Sequence, residues 1–279
     1  MLKTALILAG GNGTRLFPIS TLDRPKQFVE LFGGKTLLEL TYERVKRIVD
    51  SDNIYIVLPE KFVHFIDELL PDFNRNNLII EPDQKNTAPC VLLASLIINK
   101  RHPNSFMYVF PSDHLIEEDK FIDTMNGAYE FIINNRNYVM TFGIVPNSPS
   151  TRFGYIETDK STSTFSRVKS FHEKPDLMKA NQYLNSGCYY WNCGILLFYI
   201  DNMLNIFKSY MSDEYELLIN NEDNYSKLNN ISIDYAILEK IDDIIVTKCT
   251  FLWDDVGVFS SLIKYTDNEY ALNICKSFE

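Results

Sequence analysis

The sequence has few cysteines and no long apolar run. Its five cysteines are odd in number and none stands in a Cys-x-x-Cys pair, which argues against a disulfide framework or a cysteine zinc site. Few, unpaired thiols are typical of a reducing compartment, so we expect a cytoplasmic protein. The apolar stretch near the N-terminus covers about seven residues, below the roughly 18 that a membrane span requires. The sequence therefore predicts neither a signal peptide nor a membrane anchor.

Positive charge is also scarce. Lysine and arginine number 27 against 37 acidic residues, which gives a formal charge of −10. General nucleic-acid binding requires basic side chains that replace phosphate counterions, so we expect no nucleic-acid partner. A hydrophobic share of 46% and a charged share of 23% are ordinary for a globular protein with a large core. A few well-placed cations could still bind a small anion.

The first half of the chain alternates strand patterns with helix patterns. Continuous apolar runs predict buried strands at 4–9, 54–58, 78–80, 106–110 and 138–144. Helix patterns lie at 36–49, 62–70, 88–99 and 121–133. The first helix begins with the capping-box sequence Thr36-Leu-Leu-Glu39. This order predicts an α/β fold with a mostly parallel central sheet and helices on both faces.

After residue 146 the pattern changes. Short strand patterns at 154–158, 167–171, 194–199 and 244–247 are mixed with helix patterns at 177–184, 201–220, 234–240 and 258–265. No internal repeat and no flexible linker interrupts the chain. We therefore expect a single domain, with a main part over about 1–145 and a smaller lobe over about 146–260.

A glycine-rich loop, Gly10-Gly-Asn-Gly-Thr-Arg15, follows the first strand directly. Three glycines allow backbone N–H groups to form an anion-binding concavity, and an arginine adds a forked cation that suits phosphate. A plain turn is the alternative. Leu16 stands where a dinucleotide fingerprint has its third glycine, and Val29 stands where a Walker A loop has its first. The loop therefore predicts phosphate binding of another kind.

Two further segments could complete a phosphate site. Lys26, in Arg24-Pro-Lys-Gln, is presented at a fixed angle by the proline and could face the same phosphate as Arg15. Asp113 and Asp255 each follow a strand pattern, at the edge where parallel sheets bind ligands. Such carboxylates are candidate Mg²⁺ ligands, because Mg²⁺ takes few protein oxygens and keeps waters. An aspartate that caps a turn is the alternative.

The segment Glu173-Lys174-Pro175 offers a cation for a second phosphate and a carboxylate for sugar hydroxyls, with a solvated turn as the alternative. A zinc site at His114 lacks a second histidine or cysteine at ligand spacing. We interpret Cys193 as a buried thiol rather than a nucleophile. No Ser/His/Asp or Cys/His arrangement stands out, so covalent catalysis is not predicted.

Together the motifs resemble those of the sugar-1-phosphate nucleotidyltransferases. The shared signature is LILAGGNGTRLFPIS followed by RPKQF. The later segments are similar to those of the mannose-1-phosphate guanylyltransferase branch, in the order EPDQKNTAP, FPSDHLI, TFGIVP, FGYIE, FHEKPD, YYWNCGILLF, ISIDYAILEK and WDDVGVF. The resemblance extends from residue 5 to about residue 262, nearly the whole chain.

The resemblance implies a Rossmann-like nucleotidyltransferase fold with a sugar-binding lobe and Mg²⁺ as cofactor. It implies that Arg15, Lys26 and Lys174 hold phosphates, and that Asp113 and Asp255 bind the metal. The residues implied to contact the nucleotide are Leu8, Ala9, Gly10, Gly11, Gly13, Thr14, Glu81, Asn86, Thr87, Pro89 and Ser112. Those implied to contact the sugar are Gly143, Glu173 and Asn192.

The chain departs from the family pattern at three positions. Arg152 stands where the family usually has a small, glycine-containing segment, and Cys193 and Asp254 stand where it often has serine. Arg152 bears on the outer edge of the sugar pocket. Asp254 leaves open which aspartate is the second metal ligand, with Asp255 the positional match. Only about fifteen residues follow the last motif, so we expect no C-terminal β-helix or phosphomannose isomerase domain.

The implied reaction converts GTP and α-D-mannose 1-phosphate into GDP-mannose and pyrophosphate. A sugar phosphate is largely dianionic near pH 7, so its oxygen can attack the α-phosphate without a general base. The enzyme must then position and neutralise two anions, for which Mg²⁺, Arg15, Lys26 and Lys174 are suited. A homodimer and another sugar 1-phosphate, such as a manno-heptose phosphate, stay open. A catalytically silent nucleotide-sugar-binding protein is the alternative from another class.

Overall fold

The computed structural model describes residues 1–159 and 163–277. In chain order the strands are β1 (Lys3–Leu8), β2 (Glu30–Phe32), β3 (Lys35–Thr36), β4 (Ile54–Pro59), β5 (Leu78–Glu81), β6 (Phe106–Pro111), β7 (Leu115–Ile116), β8 (Val139–Ile144), β9 (Tyr155–Thr158), β10 (Phe165–His172), β11 (Tyr189–Tyr199), β12 (Ile244–Cys249) and β13 (Trp253–Asp254). The α-helices are α1 (Leu37–Lys46), α2 (Val63–Leu69), α3 (Thr87–Arg101), α4 (Asp119–Ile132), α5 (Leu177–Ser186), α6 (Ile200–Tyr210), α7 (Ser212–Asn220), α8 (Phe259–Leu262) and α9 (Glu269–Ser277). A π-helical turn covers Asp234–Leu238.

Nine strands form one sheet in the order β5-β4-β1-β6-β11-β8-β12-β10-β9. The strands β5, β4, β1 and β6 are parallel, as is the pair of β8 and β12. Strand β11 is antiparallel to both β6 and β8, and β10 is antiparallel to β12 and β9. The predicted α/β class is confirmed. Parallel order is confined to these two groups of strands, so the sheet as a whole is mixed.

Helices cover both faces of the sheet, and each face has its own core. Successive side chains of a strand point to opposite faces. In β1, Ala5 and Ile7 belong to a core that includes apolar side chains of α1, α2 and α4. Leu6, between them, belongs to a second core with α3 and α6. Every residue of β4 is buried, as expected for a strand covered on both sides.

Several elements differ from their predicted form. The capping box is confirmed, because Thr36 Oγ1 accepts from the Glu39 N–H at 3.2 Å while the Glu39 carboxylate accepts from the Thr36 N–H at 2.8 Å. The single helix predicted at 201–220 is two helices, since Met211 between them has φ −138° and ψ 51°, outside the helical region. The helix predicted at 234–240 is the π-helical turn. Helix α9 was not predicted.

Strand β11 connects the parallel strand β6 to strand β9. Its first residues pair with β9 and the end of β8, and its last residues pair with β6 and the beginning of β8. The register shifts between these parts, where Gly194 has φ +71°, a left-handed conformation that glycine adopts without a Cβ clash. Asn192 therefore lies at the junction.

No helix in residues 1–159 or 163–277 is long and apolar enough to cross a membrane.

Candidate active site

The loop after β1 is held by two glutamines. Gln27 is 1% exposed, and its Nε2 donates to the carbonyls of Ala9 and Gly11 at 3.0 and 2.8 Å. Gln84 Nε2 donates to the carbonyl of Gly10 at 2.6 Å. These hydrogen bonds use the carbonyls of the loop and fix its course.

Gly13 brings the same loop against the segment that contains Lys26. It has φ +54°, and a Cβ at this position would lie 2.6 Å from the backbone nitrogen of Lys26. Only glycine fits there, because both the conformation and the space exclude a side chain. Gly13 is followed by a 3₁₀ turn over Thr14–Leu16, in which the Arg15 side chain is 67% exposed. The fold thus brings the two predicted cationic segments together.

A cavity of about 430 Å³ opens at the carboxyl ends of β1 and β6. Ligand sites of open α/β sheets lie at this edge, and the size suits a small molecule. The predicted site residues that line it are Leu8, Gly10, Gly11, Glu81, Asn86, Thr87, Ser112, Asp113 and Asn192. Residues of β11 and of the π-helical turn, Gly194 and Asp234 among them, also line it.

A buried lysine joins the two candidate metal ligands. Lys26 Nζ lies 2.9 Å from Asp113 Oδ2 and donates to the Asp255 carbonyl at 2.5 Å. The Lys26 side chain is 4% exposed, whereas that of Asp113 is 36% exposed. Burial by itself would raise the pKa of Asp113, but the positive charge of Lys26 above all lowers this pKa to about 2. Asp113 is therefore an anion at neutral pH.

His114 lies behind Asp113. Its Nδ1 accepts from Trp253 Nε1 at 3.2 Å, so in the neutral ring Nε2 carries the hydrogen, and Nε2 lies 3.7 Å from Asp113 Oδ1. Burial lowers the pKa of His114, although Asp113 opposes this shift. The ring is thus fixed by Trp253 with its N–H edge toward the carboxylate.

Asp255 faces two arginines. Its Oδ2 lies 4.0 Å from Arg15 NH1 and its Oδ1 lies 3.6 Å from Arg152 NH1. The neighbouring Asp254 is 9% exposed, and its Oδ1 accepts from the Val256 N–H at 2.8 Å. Each aspartate accepts a backbone N–H two residues further on, but of the two it is the Asp255 carboxylate that lies near the arginines. This geometry favours Asp255 as the second candidate metal ligand.

The donor set fits Mg²⁺. Asp113 and Asp255 offer carboxylate oxygens, and Lys26 ties both residues together. Mg²⁺ needs only one or two carboxylates from a protein when substrate phosphates and waters complete its coordination. Within the described ranges, no group of three or more His, Cys, Asp or Glu side chains could hold a metal. The arrangement therefore does not indicate zinc.

The cavity wall near the glycine loop contains a buried carboxyl. Glu81 is 6% exposed, its Oε1 accepts from the Tyr225 hydroxyl at 2.7 Å, and burial raises its pKa. Asn86, which lines the same cavity, has φ +70°, and its Oδ1 accepts from the N–H of Thr87 at 2.8 Å. Thr87 Oγ1 accepts from the Ile233 N–H at 2.8 Å, which ties α3 to the far wall.

Polar side chains of β11 and of the π-helical turn lie at the other end of the cavity. Asn192 Nδ2 donates to Asp234 Oδ1 at 2.9 Å, and burial raises the pKa of Asp234. The Asn192 N–H donates to the Gly154 carbonyl at 2.9 Å. Glu173 and Lys174 form an ion pair after β10, where Lys174 has φ +31° and is 57% exposed.

Some predicted residues do not line the cavity. Ala9 and Pro89 are buried. Gly143 lies inside β8, where a Cβ would be 2.6 Å from the Tyr190 Cβ, so sheet packing explains this glycine. The other predicted residues outside the lining lie in the glycine loop, the lysine–aspartate cluster and the turn after β10; they are Gly13, Thr14, Arg15, Lys26, Glu173, Lys174 and Asp255.

Several residues of the site were not among the sequence predictions. Gln27, Gln84 and Asp234 stand inside motifs that carry the family resemblance, so those motifs were the available signal. Their tasks of bracing the loop and holding Asn192 become visible only in the fold. Arg152 was noted as a departure from the family pattern, without a contact to Asp255.

Comparison with known proteins identifies the family. The nucleotidyl transferase family matches residues 4–271. The chain is 35% identical to the mannose-1-phosphate guanylyltransferase of Salmonella montevideo, over 98% of this chain and 62% of that protein. It is 32% identical to the protein of the same name in Escherichia coli (strain K12), over 97% of this chain and 61% of that protein. The chain thus spans less than two thirds of these relatives.

A solved structure agrees with the sequence matches. The protein from Thermus thermophilus described as a mannose-1-phosphate geranyltransferase superposes with a TM-score of 0.87 at 31% identity, over 96% of this chain and 80% of that one. The match confirms the Rossmann-like fold and the resemblance of the motifs. By family match and by fold, the chain belongs to the nucleotidyl transferases.

Proposed function

We propose that this chain transfers a guanylyl group from GTP to α-D-mannose 1-phosphate and releases pyrophosphate. The observation that carries the proposal is one cavity that extends from the glycine loop to Asn192, with the Lys26–Asp113 pair at its edge. A transferase for two phosphorylated substrates needs this arrangement of a phosphate loop, buried charge and a polar sugar end. The guanylyltransferases of Salmonella montevideo and Escherichia coli support GTP and mannose 1-phosphate as the substrates.

The nucleotide would lie at the end of the cavity formed by the glycine loop. Backbone N–H groups of such a loop suit the triphosphate, and the exposed Arg15 suits its terminal phosphates. Guanine presents two N–H donors on one edge, which a carboxylate can accept. Glu81 lies beside Gly10, because its Oε2 would be 3.0 Å from a Cβ built on that glycine. This placement supports a guanine base over adenine.

The sugar phosphate would lie at the end formed by the smaller lobe. Asn192, Asp234 and Glu173 offer donors and acceptors for sugar hydroxyls. Lys174 is exposed and pairs only with its neighbour Glu173 among the ion pairs of residues 1–159 and 163–277. Its ammonium group is therefore free to turn toward the phosphate of the sugar.

The chemical task is to bring two anions together. The sugar phosphate oxygen attacks the α-phosphate in line with the leaving pyrophosphate, and no residue has to remove a proton. Lys26 is buried and fixed by two partners, so it stabilises developing charge without reorganisation. Arg15 neutralises the leaving group. Asp113 and Asp255 would hold Mg²⁺, which supplies further neutralisation of phosphate charge when bound.

The proposal is tested by product formation. Purified protein is incubated with GTP, mannose 1-phosphate and Mg²⁺, and the products are separated by anion-exchange chromatography. We expect GDP-mannose and pyrophosphate in equal amounts, and neither when one substrate is left out. Failure of the folded protein to form any nucleotide sugar would contradict the proposal, and tight binding without turnover would favour the silent binding protein.

A further inference from the structure

Arg152 is held in place by an aromatic cluster. It lies in the loop between β8 and β9, where its N–H donates to Ser150 Oγ at 3.2 Å and its guanidinium carbon lies 4.9 Å from the centre of the Phe153 ring. Phe153 packs in turn against Trp191 and Trp253, with ring centres 5.0 and 4.8 Å away. A guanidinium group stacked on so fixed a ring loses little freedom when it binds a ligand.

One nitrogen of this guanidinium has no hydrogen-bond acceptor. Arg152 NH1 is buried from solvent and makes no hydrogen bond to any residue in the described ranges. The nearest charge is Asp255 Oδ1 at 3.6 Å, beyond hydrogen-bond length, and this oxygen already accepts from the Gly257 N–H at 3.2 Å. A buried charged donor without an acceptor is costly. The Arg152 side chain as a whole is 34% exposed, so an anionic ligand can approach the guanidinium group from solvent and neutralise its charge.

Arg152 lines a neighbouring cavity with Trp191 and Trp253, and its loop contacts residues at both ends of the candidate site. The carbonyl of Gly154 accepts from the Asn192 N–H, so the loop is fixed to the sugar end. Trp253, which supports Phe153, lies two residues before Asp255, at the candidate metal ligands. With the sugar at Asn192 and the reacting phosphorus near Asp255, the phosphate of the sugar has to lie between them.

We infer that Arg152 binds the phosphate group of the sugar 1-phosphate, together with Lys174, at the edge of the site formed by Asp255. The inference rests on the proposed function. The charges at Asp255 favour it, because this single carboxylate faces the guanidinium groups of both Arg15 and Arg152. A sugar phosphate brings about two negative charges at neutral pH. Arg152 thus contacts the phosphate of the sugar substrate, at a position where the family usually has a small segment.

Steady-state kinetics with each substrate varied in turn tests this role. Arg152→Gln should raise the KM for mannose 1-phosphate by roughly ten- to a hundredfold and leave the KM for GTP within twofold. Arg152→Lys keeps the positive charge but not the forked guanidinium group. Its KM for mannose 1-phosphate should lie between those of the unchanged protein and Arg152→Gln. Arg167→Gln is the matched control, since the Arg167 guanidinium lies over Tyr138, 5.4 Å from the ring centre, on β10. The KM of Arg167→Gln for each substrate should equal that of the unchanged protein.

A binding measurement separates this inference from the proposed function. Calorimetric titration with mannose 1-phosphate and with inorganic phosphate should give weaker binding of both to Arg152→Gln, by a factor similar to the change in KM. Equal binding and equal KM in the unchanged protein and Arg152→Gln would overturn the inference alone. A larger change in the KM for GTP, or in the Mg²⁺ requirement only, would also overturn it. Binding of both ligands without any turnover by the unchanged protein would overturn the proposed function alone.

Discussion

Replacing Lys26 by methionine should weaken both folding and turnover. The change keeps the apolar stem but removes the ammonium group, which lies 2.9 Å from Asp113 Oδ2. Removing one partner of a fully buried ion pair costs about 3–5 kcal/mol. Because Asp113 is 36% exposed, water screens its charge after the change, and we expect the free energy of unfolding to fall by about 1–3 kcal/mol. At about 2–4 °C per kcal/mol this should be visible as a lower Tm.

A second lysine supplies the control for this change. Lys100 Nζ lies 2.9 Å from Glu222 Oε1, the same separation, but its side chain is 66% exposed. Exposed pairs contribute less than about 1 kcal/mol, so Lys100→Met should hardly alter urea unfolding or turnover. Turnover by Lys26→Met at saturating substrate should fall by about a hundredfold or more. Equal destabilisation by the two changes, or normal turnover in Lys26→Met, would refute the reasoning that burial makes the Lys26 pair important.

Three further predictions concern the metal, the phosphates and acid stability. Asp113→Asn should lower kcat strongly at saturating Mg²⁺ and Asp254→Asn much less; the reverse ranking in a pyrophosphate-release assay would make Asp254 the ligand. Lys174→Ala should raise the KM for mannose 1-phosphate by roughly ten- to a hundredfold, whereas Arg15→Ala should chiefly lower kcat, because charge develops on the leaving pyrophosphate. A sugar phosphate KM within twofold of normal would remove Lys174 from the site. A hydrogen bond with His172 lowers the pKa of the Glu157 carboxyl. The carboxylate therefore stabilises the fold above its ordinary pKa of 4.5, and this stability is lost as the pH falls through the lowered pKa. Glu157→Gln should therefore make urea unfolding less pH-dependent below about pH 4.5, and an unchanged pH dependence would count against this contribution.

The strands covered on both faces could be predicted from sequence. Strands β1, β4 and β6 lie within one residue of their predicted ends, because a strand buried on both faces is a continuous apolar run. Strand β11 was predicted only at 194–199, yet it begins at Tyr189. Its first part is stabilised by pairing with β9, a contact distant in sequence that local pattern does not encode. Helix α9 likewise depends on packing, since its buried Ala271 and Cys275 join a core with Leu16.

The candidate site was predictable in its parts but not in its arrangement. The motifs predicted that Lys26 binds phosphate and that Asp113 and Asp255 bind the metal. The fold brings the three residues into contact. No local pattern indicated that Lys26 is buried, because its surroundings come from the loop after β1 and from the C-terminal part of the chain. Cys193 was correctly interpreted as a buried thiol, and burial raises its pKa to about 12. The contact between Arg152 and Asp255 joins residues about a hundred positions apart, which periodicity along the chain does not reveal.

The most direct test of the account is the specificity constant for a matrix of substrates. Four nucleoside triphosphates are crossed with several sugar 1-phosphates, and kcat/KM is measured as pyrophosphate release with Mg²⁺. We predict the highest value for GTP with α-D-mannose 1-phosphate. An equal value for ATP or dTTP would contradict the guanine assignment, and a higher value for a manno-heptose phosphate would contradict mannose as the sugar. No turnover with any pair would contradict the central claim that this cavity joins a nucleotide to a sugar phosphate.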